Sequence, residues 1–307
     1  MSIEVAGPVI AAMMTAATPL LFAALGELVV EKSGVLNLGV EGMMLGGAVV
    51  GFAAAVLTGS SAVGFVAGAL AGLLLAALFG VLTLGLFTNQ VATGLALTLF
   101  GVGLSSLVGQ GYVGHPIADV PELHIPVLTD LPIIGQPLFG QSLPVYLALA
   151  AVPAVHWFLF RTRAGLVLRA VGENHTAAHA LGYKVIRIRF LAVLFGGAMS
   201  GLGGAYLSLD YTPMWAEGMT AGRGWIALAL VVFATWKPGR VLAGAWLFGG
   251  VTILQLHAQG VGFAVPSQLL SMLPYLATVL VLVLISRDVT RIRLNAPASL
   301  GKIFYPD

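Results

Sequence analysis

Nine apolar stretches, bounded by charges, prolines and glycines, take up most of this chain and leave little room for anything but membrane helices. They run at about residues 9–29, 39–59, 62–86, 89–109, 144–160, 189–208, 223–236, 240–257 and 269–286. An α-helix rises 1.5 Å per residue, so about 20 apolar residues cross the roughly 30 Å hydrocarbon core of a bilayer. With 59% of residues hydrophobic and 8% charged, the chain carries more apolar surface than one water-soluble core hides. The expectation is an all-α polytopic protein of about nine transmembrane helices, forming a single transmembrane domain over residues 1–307. The short seventh stretch and the polar connection 31–41 leave the count open between eight and ten. Residues 1–7 hold Glu4 and no Lys or Arg, so the first stretch reads as a retained span rather than a cleaved signal.

The 14 Lys and Arg residues orient these spans. Arg161, Arg163, Arg169, Lys184, Arg187 and Arg189 fall between spans five and six, and Arg287, Arg291, Arg293 and Lys302 in the C-terminal tail. Short loops rich in Lys and Arg stay cytoplasmic. Alternation then brings Lys32 and the turn with Lys237 and Arg240 to the same side. The loop 111–143, with Asp119, Glu122 and Asp130 and no cation, falls outside. Arg223 alone breaks the rule. The N-terminus is therefore expected outside and the C-terminus in the cytoplasm, with a cytoplasmic segment at 161–188. Prolines at 116, 121, 126, 132 and 137 predict that the external loop is a structured cap with short turns.

Several function classes drop out. The chain has no cysteine, which removes disulfides, thiolate metal sites and cysteine nucleophiles. No basic run with interleaved aromatics invites nucleic acid. No GxxxxGK[ST] loop occurs, so if ATP drives this protein another chain must bind it. Ion coupling favours carboxylates inside the spans. The nearest, Glu27, Glu31 and Glu41, gather around one connection, and none stands at the middle of a stretch. His175 and His179 have the i, i+4 spacing of a helical metal pair but no third ligand nearby. No catalytic group, cofactor or metal is expected, and the chain reads as a transport protein rather than an enzyme. Glycines four apart, Gly47 with Gly51, Gly64 with Gly68 and Gly72, and Gly197 with Gly201, let helix backbones approach, within the subunit or across a dimer.

Four places hold candidate functional residues. Asn37 and Glu41 share a face if the second helix starts near Asn37 as its N-cap. The segment is then either a broken helix beside a translocation path or a helix cap in which Lys32 pairs with Glu31 or Glu41. A short helix opening near Glu173 or Asn174 and stopping at Gly182 would present Ala177, Ala178 and Leu181 as a small apolar face suited to another protein's groove. Thr93, Thr98, Ser105 and Ser106 on the fourth span either line a path for a hydroxylated solute or bond to their own helix. Arg223 either faces an aqueous vestibule or pairs with Glu217 or Asp210 at the membrane surface.

Three stretches, GELVVEKSGVLNLGVEG at 26–42, RAVGEN at 169–174 onward to Gly182, and MTAGRGWIALA at 219–229, resemble the membrane-spanning subunits of bacterial ABC importers. The group includes branched-chain amino acid, ribose-type sugar and nucleoside permeases. LPIIG at 131–135 with Leu138 and Phe139 is similar to the nucleoside-type permeases that work with basic membrane lipoprotein-like binding proteins. The resemblance implies half of a solute pathway through the bacterial plasma membrane, working by alternating access, with nucleosides or related compounds as cargo. A sugar or branched-chain amino acid permease is the alternative within the group, and an ion-coupled secondary transporter the alternative outside it. It further implies that the helix from about Glu173 to Gly182 is the coupling helix that docks on a cytoplasmic ATPase. A second permease subunit, different or identical, and an extracytoplasmic solute-binding lipoprotein complete the implied partners. Ten spans are usual in ribose-type relatives, so nine implies that the first is missing.

Overall fold

The structure is a computed structural model that describes residues 3–124, 126, 128–129, 131, 133–260, 269, 272–286 and 295–305. The apolar stretches are helices: α1 (Ile3–Lys32), α2 (Val40–Thr58), α3 (Ser61–Gly80), α4 (Gln90–Gly109), α6 (Leu143–Arg161), α9 (Val185–Tyr206), α10 (Arg223–Phe233), α11 (Pro238–Gly260) and α12 (Leu273–Ser286). Between them lie the short α5 (Gly135–Phe139), α7 (Arg163–Glu173) and α8 (His175–Ala180). Seven helices among the described residues are long and apolar enough to cross a membrane. The other two of the expected nine are shorter: α10 has 11 residues and α12 has 14 described ones. No strand occurs among the described residues.

The seventh apolar stretch, expected at 223–236, is helical only over Arg223–Phe233. α10 starts against the first turn of α2: Thr220 and Gly224 are buried, Gly222 and Arg223 half-buried and Ala221 exposed. Asp130, Pro132, Arg287, Arg291 and Arg293 lie outside the described residues. The loop 111–143 carries the expected cap of short turns: α5 packs on α1, and Leu123 N–H donates to Gln141 O at 3.0 Å beside a Glu122–Ser142 bridge.

α1 is the axis, touching α9, α11, α10 and α6. Of the most apolar windows, 72% of α1 and of α2 is buried but only 28% of α4, so the N-terminal pair is core and α4 a flank. The glycine repeats explain how α2, α3 and α9 meet. A Cβ on Gly72 of α3 would stand 2.7 Å from Gly201 Cα of α9, and one on Gly51 of α2 2.9 Å from Gly64 O of α3. The open alternative is thereby decided: these glycines are consumed within the subunit. Backbones this close gain dispersion contacts that larger side chains would deny them. Gly72→Leu is expected to lower unfolding stability by at least about 1–3 kcal/mol. A thermal or denaturant melt of the purified variant checks it, and an unchanged midpoint would contradict this packing.

Candidate functional site

Three chain segments that are far apart in sequence converge on residues 33–42. After α1 the chain does not turn straight into α2. Leu36 N–H donates to Gln90 Oε1 at 2.8 Å, Thr98 Oγ1 donates to Leu38 O at 3.0 Å, and Gly42 lies against Gly101. Gln90, Thr98 and Gly101 lie on α4, so the segment rises about 17 Å along that helix before α2 is under way. Asn37 is not the N-cap: α2 begins at Val40 after Gly39, and Asn37 Oδ1 accepts from Gly39 N–H at 2.9 Å. That is an Asx turn, the competing local bond that Asn offers a backbone.

Glu41 therefore stands about half-way along α4, where no carboxylate was expected. Its Oε1 accepts from Thr220 Oγ1 at 2.6 Å and from Gly222 N–H at 2.9 Å, and its Oε2 from Gly224 N–H at 2.6 Å. A carboxylate at a helix N-terminus meets both unpaired N–H groups and the positive end of the helix dipole. Glycine is required at 224, where a Cβ would lie 2.5 Å from Glu41 Cα. Arg223 makes neither of the expected salt bridges. It donates to Met219 O and Thr220 O at 3.2 and 3.3 Å and lies 5.7 Å from the Tyr211 ring centre, while Glu217 accepts from Ser106 and Asp210 from Ser142.

At the end of the bundle that carries most of the basic residues, Arg189 is fully buried. Its Nε donates to Ser33 O at 3.1 Å, Nη1 to Lys302 O at 3.0 Å and Nη2 to His175 Nδ1 at 3.1 Å. One guanidinium thus joins the α1–α2 segment, the C-terminal tail and α8. The tail adds Ser299 N–H to Gly172 O at 2.9 Å, Gly301 N–H to Gly34 O at 3.1 Å and the Phe304 ring against His175 and His179. Lys32 does not pair with Glu31 or Glu41; it donates to Asn295 O at 2.6 Å, and Glu31 accepts from Trp236 Nε1 at 2.5 Å.

The segment expected to dock on a partner differs in detail. Glu173 ends α7, Asn174 caps α8 by accepting from Ala177 N–H at 2.9 Å, and Gly182 closes it at φ +86°. Ala178 is buried under Phe304, so it is not part of an outward face; Ala177 and Leu181 are exposed, Leu181 at 78%. His175 and His179 are ring contacts of Phe304, and no metal-binding cluster occurs among the described residues. Thr93 shares a 2.9 Å hydrogen bond with Thr88, and Ser105 is buried with no partner for its hydroxyl among the described residues. The structure brings Asn37, Glu41, Thr98 and Arg223 into one region; Thr93 and Ser105 lie elsewhere on α4. Arg189, Gln90, Trp236 and Phe304 were missed as site residues. For Arg189 the available signal is a cation at the start of a span.

Two outcomes follow from this geometry. Glu41→Gln replaces an acceptor with a donor facing N–H groups and is expected to cost about 2–4 kcal/mol in a denaturant melt; an unchanged midpoint would show that Glu41 does not hold α10. Burial, then Arg189 and Lys302, push the His175 pKa below its ordinary value. Neutral His175 accepts from Arg189, so its contribution is complete above about pH 6.5 and is lost as pH falls through the lower folded value. Hydrogen exchange in α8, corrected for intrinsic rates, is expected to speed up between pH 7.5 and 5.5. His175→Asn, which keeps an acceptor without the titration, should abolish that response.

Residues 9–285 match the family model described as branched-chain amino acid transport system / permease component. The chain is 43% identical to the putative glucose ABC transporter permease protein TsgC13 of Haloferax volcanii, covering 94% of each. It is 34% identical to the nucleoside ABC transporter permease protein NupC of Lactococcus lactis, covering 90% of this chain and 91% of that one. With the guanosine ABC transporter permease protein NupQ of Bacillus subtilis the identity is 29%, over 91% and 92%. No solved structure matches. A permease of this kind works with an ATPase and a solute-binding protein and has no catalytic task of its own. The chain belongs to the branched-chain amino acid transport system permease family, as a multi-pass ABC transporter permease subunit of the cell membrane.

Proposed function

We propose that this subunit forms half of an import pathway for nucleosides or related compounds, with its basic end in the cytoplasm. The nucleoside and guanosine permeases among its relatives, which it matches over nine-tenths of its length, support the cargo. A sugar is the second reading, favoured by the 43% identity to a putative glucose permease. Both cargoes present ring hydroxyls. Thr93, Thr98 and Ser105 along α4, with Asn37, Glu41 and Arg223 at the break, are the residues assigned to the path. Ligand binding by the cognate solute-binding protein, followed by uptake of the bound compound in cells with and without this chain, tests the cargo. Binding of glucose and not of nucleosides would move the assignment to the sugar.

The mechanism is alternating access, and the observation that carries it is the Arg189 junction. α8 is the coupling helix on the ATPase. Closure of the ATPase moves α8, and Arg189 passes the displacement through Ser33 O to the broken segment and so to Glu41 and the start of α10. Glu173, Asn174, Ala177, Leu181 and Gly182, all exposed, remain in the proposed contact, while Ala178 packs against Phe304 from behind. Leu181→Asp is expected to leave the subunit folded, because that side chain is outside the core, and to weaken ATPase association by roughly tenfold or more. Co-purification with the ATPase measures this, and undiminished association would remove α8 from the interface.

A further inference from the structure

Beside α8 lies a groove of about 570 Å³, between the end of α3 and the first turns of α9. Its walls are Val81, Leu84, Ile186 and Phe190, and it reaches Phe304 at the tail. Val81 is 51% exposed and neighbouring Leu78 43%, so the groove opens on the side of α3 that faces hydrocarbon. Lys184, Arg187 and His179 line it as well, and no carboxylate does among the described residues. Lys184 and Arg187 are exposed and have no hydrogen-bond or ion-pair partner among the described residues. Lys184, the residue before α9, and Arg187 in its first turn both border the groove.

We infer that this groove binds an anionic phospholipid, its phosphate between Lys184 and Arg187 and an acyl chain along Leu84 and Phe190. An apolar trough that opens sideways and ends under two unpaired cations complements a negative head joined to a hydrocarbon tail. Free phosphate would use only the rim. A zwitterionic lipid would fill the trough but leave the rim charge unmatched, and an acidic protein surface would leave the trough empty. Because Phe304 and His179 belong to both the groove and the packing of α8, the lipid steadies that helix from the membrane side. This inference holds for either cargo.

Native mass spectrometry of the assembled transporter tests it, with phosphatidylglycerol and phosphatidylcholine of identical chains as probes and inorganic phosphate as competitor. A Lys or Arg near a membrane surface brings roughly a fivefold gain in anionic-lipid affinity, so two predict roughly 25-fold retention of phosphatidylglycerol over phosphatidylcholine. Lys184→Gln with Arg187→Gln should bring the two near parity. Gly85→Phe should reduce retention of both lipids: position 85 lines the groove and a Cβ there meets nothing within 4 Å, so the ring has room to fill the trough. Equal retention by the unaltered transporter would overturn the inference, as would a preference that survives in the double variant, retention unaffected by Gly85→Phe, or full displacement by inorganic phosphate. Loss of the ATPase from a lipid-free double variant would assign the rim to the ATPase instead.

Discussion

A backbone that leaves helical geometry inside a bilayer must find a partner for every N–H and C=O it exposes, because hydrocarbon supplies none. Residues 33–39 meet that constraint with side chains from three helices. Arg189 takes Ser33 O, Gln90 takes Leu36 N–H, Glu27 Oε1 takes Asn37 N–H at 3.2 Å and Thr98 takes Leu38 O. Gly34 O is met by the tail and Gly39 N–H by Asn37 itself. Ser33, Gly34, Asn37 and Gly39 are buried and Leu36 and Leu38 half-buried, and a buried donor or acceptor left alone costs about 1–3 kcal/mol. Four of the chain's buried polar side chains, Glu27, Gln90, Thr98 and Arg189, serve this one break.

The break in turn sets the level at which α2 and α10 begin. The N-terminus of α10 faces a carboxylate from the first turn of α2, and α10 is about 16 Å long, half the thickness of a hydrocarbon core. The glycine contacts of α2, α3 and α9 are a different kind of joint. Backbones within van der Waals reach resist sliding, so the two joints are built from different chemistry.

The sequence discloses the helices well, because apolar length is a strong signal in a bilayer, and the glycine spacing discloses how three of them touch. It discloses the break only as an oddity: the run 31–41 is too polar for a span. The depth of Glu41 was illegible, since nothing local to Glu41 points to Gly222 and Gly224, 181 and 183 residues away. The same holds for Arg223, whose place follows from where α10 starts and not from its neighbours. Ala178 looked outward because helical periodicity describes one helix and cannot see a tail that folds over it. The three stretches that carry the family likeness, by contrast, are the ones the fold brings together: 26–42 meets 169–182 at Arg189 and 219–229 at Glu41.

The central position of α1 has a consequence for how the protein is made. α1 leaves the ribosome well before its partners: Ser33 waits for Arg189, 156 residues later, and Glu31 for Trp236, 205 residues later. At about 5–20 residues per second, those gaps last roughly 10–40 s. Throughout that interval a helix carrying Glu27 and Glu31 must be held somewhere that hydrates or shields them. The innermost helix is therefore the one that can enter its final surroundings only after nearly all the others have been synthesised, and biogenesis must keep a place open for it.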